Sequence, residues 1–378
     1  MSAPATGRSR AAPVPATSHP RRRSSLRLVL VLPAALALLA GLDAALLLLD
    51  LPAPVSSARL PEVHGVLLVL GFVGTLVALE RAVALRHPAG YTAPAFLGLG
   101  AVALLSPFPV TVGAALLVLG TVALVGVYVP LWRRQADESV LVQGLGAVLA
   151  TGAALLWLGG TAVPALLPWL VGFVVLTIGG ERLELARLAM GPSAGPLLVG
   201  LAAAVCAGVV ASLLWPQVGT VLLGAALLAL GGWLATHDVA RRTVTGTGLP
   251  RYMAACMLAA YAWLGVAGTL WLAGGSAAGA AYDAVVHTVF LGFTLSMIMA
   301  HAPVILPAVL RRPLPYHRAL WLPVLLLHGS LVVRLWLGDA LEVDHAWRIG
   351  GVLNIVSVLL FAALVVWRVA GASSKESS

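Results

Sequence analysis

The run from Leu28 to Leu49 has almost no charge and, as a helix, is long enough to cross the roughly 30 Å hydrocarbon layer of a bilayer. Segments of this kind recur along the whole chain. With 60% of residues apolar and 10% charged, a water-soluble fold would have to bury such helices on every face, and there is too little polar sequence to cover them. The expectation is an all-α polytopic membrane protein, since a helix satisfies its own backbone hydrogen bonds in lipid. Glycine, proline and charge divide the chain into twelve expected spans, at 27–50, 63–85, 92–107, 110–131, 139–159, 163–181, 195–215, 217–236, 252–273, 283–306, 318–337 and 347–368.

Charge orients these spans. Alternating the loops puts 20 of the 23 lysine and arginine residues on the side that holds the N-terminus, and only Arg59, Arg334 and Arg348 on the other. Twelve spans with both termini cytoplasmic are self-consistent with the positive-inside bias, and the expected location is the plasma (inner) membrane. The net charge of +9 then marks the cytoplasmic face and calls for no nucleic-acid partner. Residues 1–26, rich in Ala, Pro, Ser and Arg, are expected to form a disordered basic cytoplasmic tail, and residues 369–378 a short cytoplasmic C-terminal tail. The run after the basic start outlasts a signal-peptide h-region and lacks a clear cleavage site, so it reads as the first span. Cys206 and Cys256 both fall inside spans, which favours core packing over disulfide or cluster chemistry.

One pattern returns three times, on the second, sixth and tenth spans. Gly71-Phe72 is followed nine residues after the glycine by Glu80, Gly172-Phe173 by Glu181, and Gly292-Phe293 by His301. Three of the seven phenylalanines thus sit in Gly-Phe pairs four helices apart, as expected for three pseudo-repeated four-helix units. The alternative is that glycine at each position simply permits close helix approach. The second and tenth spans also carry histidines near their outer ends, His64 and His287. Two imidazoles at one depth of a bundle suit a haem iron, with apolar Leu and Val beside the ring. The alternative role for both is a helix-start residue at headgroup level.

Twelve helices in three four-helix arcs, with histidines on the second and tenth, resemble the catalytic subunit I of the haem-copper oxidases. The phrases from His64-Gly65 to Gly71-Phe72, from His287 to Gly292-Phe293, and Ala300-His301-Ala302-Pro303 more closely resemble the NnrS family of haem- and copper-containing membrane proteins. The resemblance covers residues 27–368. It implies a haem, b-type, held by His64 and His287, with its propionates directed outward to Arg334 and Arg348. It also implies a diatomic gas or a redox partner, and a role in nitrogen-oxide metabolism or electron transfer. Departures from the oxidase pattern are equally informative. Residues 163–215 contain no histidine, so the oxidase copper centre lacks its expected ligands and oxygen reduction is not expected; copper in another form stays open.

His301 follows His287 by fourteen residues, about 21 Å of α-helical rise and roughly 40° short of four turns, which puts both on one face. A second metal or haem site would then join His301 to His328 of the eleventh span. The competing role for His301 is a hydrogen-bonded interfacial histidine before Pro303. Glu80-Arg81 and Glu181-Arg182 are expected to form interfacial ion pairs, or with His301 to surround an inner cavity as a proton relay. Arg334 needs an anion, either a propionate or one of Asp283, Asp339 and Asp344. The rival to a haem protein is a proton-coupled secondary transporter without cofactor.

Overall fold

The computed structural model describes residues 20–376, with side chains from 27 to 371, and every described element is helical. The helices are α1 (Pro20–Leu48), α2 (Arg59–Leu85), α3 (Pro88–Leu104), α4 (Val110–Gln135), α5 (Glu138–Leu158), α6 (Val163–Met190), α7 (Ala194–Leu214), α8 (Pro216–His237), α9 (Gly248–Gly274), α10 (Gly279–Leu310), α11 (Arg318–Ala340) and α12 (Asp344–Glu376). Among the described residues eleven of these are long and apolar enough to cross a membrane; α3 is apolar but shorter. Arg59, at the start of α2, nevertheless donates to the carbonyls of Ser106 and Phe108 just beyond α3. That contact brings the end of α3 close to the start of α2.

Several boundaries differ from the sequence expectation; α12, for one, continues to Glu376, through most of the expected C-terminal tail. α1 begins at Pro20 rather than residue 27, with proline in the first turn, where its missing N–H has no intrahelical partner to lose; the rest of the expected tail, 1–19, lies outside the described residues. α6 continues to Met190 instead of ending at 181. The added turns are tied to the start of α5, where Arg187 pairs with Glu138 and with Asp137, the residue that caps that helix.

Successive helices pack side by side, and α12 returns to α1. Inside this ring α10 touches both α2 and α6. Burial marks the same three helices as the interior: 78% of the apolar window of α6, 67% of α10 and 61% of α2 is buried, against 28% for α1 and 33% for α7. Glycine sets the closest crossings. A Cβ on Gly224 of α8 would lie 2.5 Å from the Leu272 nitrogen and 2.7 Å from the Gly268 oxygen of α9, so the two backbones meet there directly.

Each of the three repeated glycines packs against a neighbouring helix. The space for a Cβ on Gly71 is taken by Ala37 of α1 and Ala101 of α3, on Gly172 by Leu149 of α5 and Val209 of α7, and on Gly292 by Trp263 of α9. In α2 and α10 the Gly-Phe pair also lies within a π-helical segment of eight residues, Leu67–Gly74 and Thr288–Leu295, and the glycine is fifth in each. α6 has no such segment and runs as regular α-helix through its pair.

Candidate functional site

The polar residues of the interior form two layers. The first lies toward the ends at which α2 and α10 begin. His64 stands one turn before the π segment of α2, and its Nδ1–H donates to the Gly41 carbonyl of α1 at 3.0 Å. His287 immediately precedes the π segment of α10, and its Nδ1–H donates to the Asp283 carbonyl at 2.8 Å, with the Asp283 carboxylate 3.3 Å away. Both imidazoles are half-buried, and they lie within electrostatic range of each other, of Asp283 and of Arg334. Each ring therefore has its proton on Nδ1 and its free lone pair on Nε2, the arrangement that second-shell carbonyls impose on metal-binding histidine. π-helical turns rarely occur without a functional or packing reason.

Arg334 is held on its own π segment, Val333–Ala340, and donates through Nε and Nη2 to both oxygens of Asp283, at 2.9 and 2.8 Å. Its guanidinium lies 5.1 Å from the centre of the Trp347 ring, and the Trp347 indole N–H also reaches Asp283, at 3.3 Å. Gly350 leaves room for it, since a Cβ there would fall 2.6 Å from that of Arg334. The anion that the sequence demanded for Arg334 is thus Asp283. Asp283 occupies Nε and Nη2 of Arg334. Arg348 stands at the surface opposite Asp50, 3.6 Å away, and does not join Arg334 over the histidines.

The second layer lies toward the arginine-rich face. Arg81 meets Glu80 at 2.5 Å, Glu184 at 2.9 Å and Glu181 at 4.0 Å, and Gln143 of α5 donates to Glu184. Three carboxylates therefore share one buried guanidinium, and one oxygen of Glu181 is buried without a hydrogen-bond partner. The adjacent Arg182 donates to both oxygens of Asp238, at 2.8 and 3.0 Å, and to His301 Nε2 at 2.9 Å. Asp238 also accepts from the Tyr261 hydroxyl at 2.6 Å and the Ala240 amide at 2.9 Å. Burial alone would push the Asp238 carboxyl up; the bonds from Arg182, Tyr261 and Ala240 outweigh it and hold the group below the usual carboxylate range.

His301 and His328 have separate partners. His301 donates from Nδ1 to the Met297 carbonyl, and its Nε2 lone pair accepts from Arg182. His328 uses its Nδ1 lone pair to accept from the Trp263 indole at 2.9 Å, which leaves the proton on a buried, unpartnered Nε2. Neither offers a free lone pair to a metal, so the second site expected from this pair is not assembled. The shared face of His287 and His301 is lost as well, because the π turn between them alters the α-helical phase. Among the described residues no group of three or more His, Cys, Asp or Glu is placed to hold a metal ion. Sequence reasoning singled out both arginines of the inner layer but missed Asp238, Tyr261, Gln143 and Glu184; Asp238, a carboxylate between two apolar helices and beside Arg241-Arg242, was the available signal.

These features define a polytopic, all-helical membrane bundle with a histidine layer and an arginine–carboxylate layer. The chain belongs to the family described as Domain of unknown function (DUF8744), which it matches over residues 27–370. No curated protein matches it.

Proposed function

We propose that this is a haem-binding membrane protein of twelve spans, built as three four-helix units, with His64 and His287 as the axial pair. The observation that carries the reading is the tautomer of the two imidazoles: each is tied through Nδ1–H to a main-chain carbonyl and leaves Nε2 without a hydrogen bond among the described residues. This donor set fits a haem iron. A bis-imidazole haem supplies one-electron transfer. The protein's part is to fix both rings: α1 orients His64 through Gly41, and the Asp283–Arg334–Trp347 cluster orients His287. Asp283, held by Arg334, raises the electron-donating strength of the His287 ring. The NnrS resemblance makes nitrogen-oxide metabolism or electron transfer the setting. The close helix contacts at Gly71, Gly172 and Gly292 and the π segments of α2 and α10 support the repeated units.

The arginine bias supports an inner-membrane orientation with both termini cytoplasmic; single cysteines in the 51–58 and 275–278 loops should label from outside. The test of the haem is the visible spectrum of detergent-purified protein. A Soret band that is lost in His64→Leu and in His287→Leu, with both variants still in the membrane, supports the assignment. A colourless wild type, or an unchanged band in both variants, refutes it.

A second reading, a proton-coupled secondary transporter, rests on the three carboxylates that share Arg81. Like charges so close favour retention of a proton on one of them, and the unpartnered Glu181 oxygen is its natural place. Proton uptake by proteoliposomes that is abolished by Glu181→Gln, in protein without a Soret band, would select this reading.

A further inference from the structure

A cavity of about 890 Å³ lies at the end of the bundle opposite the arginine-rich face, between α1, the start of α2, the end of α3 and α12. Leucine is the commonest residue of its wall. Leu36 and Leu39 are exposed on the outside of the bundle, so the cleft is continuous with the surface that meets acyl chains. Asp43 lines it too and is only 9% exposed. One of its oxygens accepts from the Val55 amide at 3.4 Å; the other is buried and has no partner. Among the described residues no cation lies within ion-pair distance of Asp43. Arg59, also in the lining, spends one nitrogen on the Ser106 and Phe108 carbonyls and meets no carboxylate.

A buried carboxylate oxygen without a donor is costly. Its complement is an N–H-bearing cation, and the complement of Arg59 is an anion. An occupant must therefore carry both charges on one polar head, and apolar chains to lie along the leucines. We infer that the cleft binds phosphatidylethanolamine, with the primary ammonium on Asp43, the phosphate beside Arg59 and the acyl chains along the α1 wall. Phosphatidylcholine has the same charges and chains but no N–H, so it cannot satisfy the open Asp43 oxygen.

The test uses full-length protein in detergent, titrated with phosphatidylethanolamine or phosphatidylcholine of identical chains and read by native mass spectrometry. The wild type should hold phosphatidylethanolamine about tenfold more tightly, the scale of one charge-assisted hydrogen bond. Asp43→Asn, which retains an oxygen for Val55, should abolish that preference. Leu39→Trp, at an exposed position, should fill the cleft and weaken both lipids, and it supplies the test if the Asp43→Asn protein is not monodisperse. Equal affinity of the wild type for the two lipids, a preference that survives Asp43→Asn, or lipid binding undiminished by Leu39→Trp overturns the proposal.

Discussion

Replacing Asp238 with alanine removes the acceptor of four hydrogen bonds: two from Arg182, one from Tyr261 and one from the Ala240 amide. The Arg182 and Asp238 side chains are 4% and 0% exposed, so water cannot take the carboxylate's place. Removal of one partner from a buried ion pair costs about 3–5 kcal/mol, because the other charge is left uncompensated. Asp238→Ala should fall at the upper end, since a phenol and an amide are orphaned together with the guanidinium. Asp238→Asn, which keeps an acceptor and loses the charge, should cost less. Arg182→Met combined with Asp238→Asn should cost less than the sum of the two single changes, because neither charge is then left alone. Chemical denaturation of the purified protein, followed by helical circular dichroism, measures all four variants. The pH dependence has a defined sign. Asp238 has a folded pKa below its unfolded value, so its contribution is complete above the unfolded carboxyl pKa, about 3.9, and is lost as pH falls through the lower folded value. An Asp238→Ala protein within 0.5 kcal/mol of wild type, or strictly additive single changes, would refute the claim that this cluster clamps α6 to the α8–α9 connection; the 0.5 threshold is the approximate scale of neutral surface substitutions.

Other outcomes follow from local geometry. Gly224→Ala should destabilise the protein by about 1–3 kcal/mol, the usual cost of overpacking, because the added methyl meets the α9 backbone at 2.5 Å; an unchanged melting temperature would mean that α8 and α9 separate freely. Ala136 ends α4 in a left-handed conformation with φ of 46°, so Ala136→Gly should stabilise by up to about 1 kcal/mol, measured by thermal melting. Under the haem reading, His301→Gln and His328→Gln should leave the Soret band in place while His301→Gln lowers stability, since that imidazole serves Arg182. A lost band in either would move the iron to the other layer.

The helical class and most of the spans were legible in the sequence, because a segment in lipid must satisfy its backbone within itself, which makes the signal local. The Gly-Phe recurrence was equally legible, and so was the placement of His64 and His287 near matching helix ends. Tertiary structure decided how the charges are spent. Arg334 finds Asp283 51 residues away, Arg182 finds Asp238 at 56 and His301 at 119, and Arg81 finds Glu184 at 103; no sequence period spans such distances. The end of α6 shows the consequence. Glu181-Arg182 reads as an interfacial stop when α6 is considered alone, yet partners on neighbouring helices let it run on to Met190. The π segments were hidden because their sequences remain compatible with α-helix. Sequence determines which groups must avoid lipid, and packing determines which partner makes that possible.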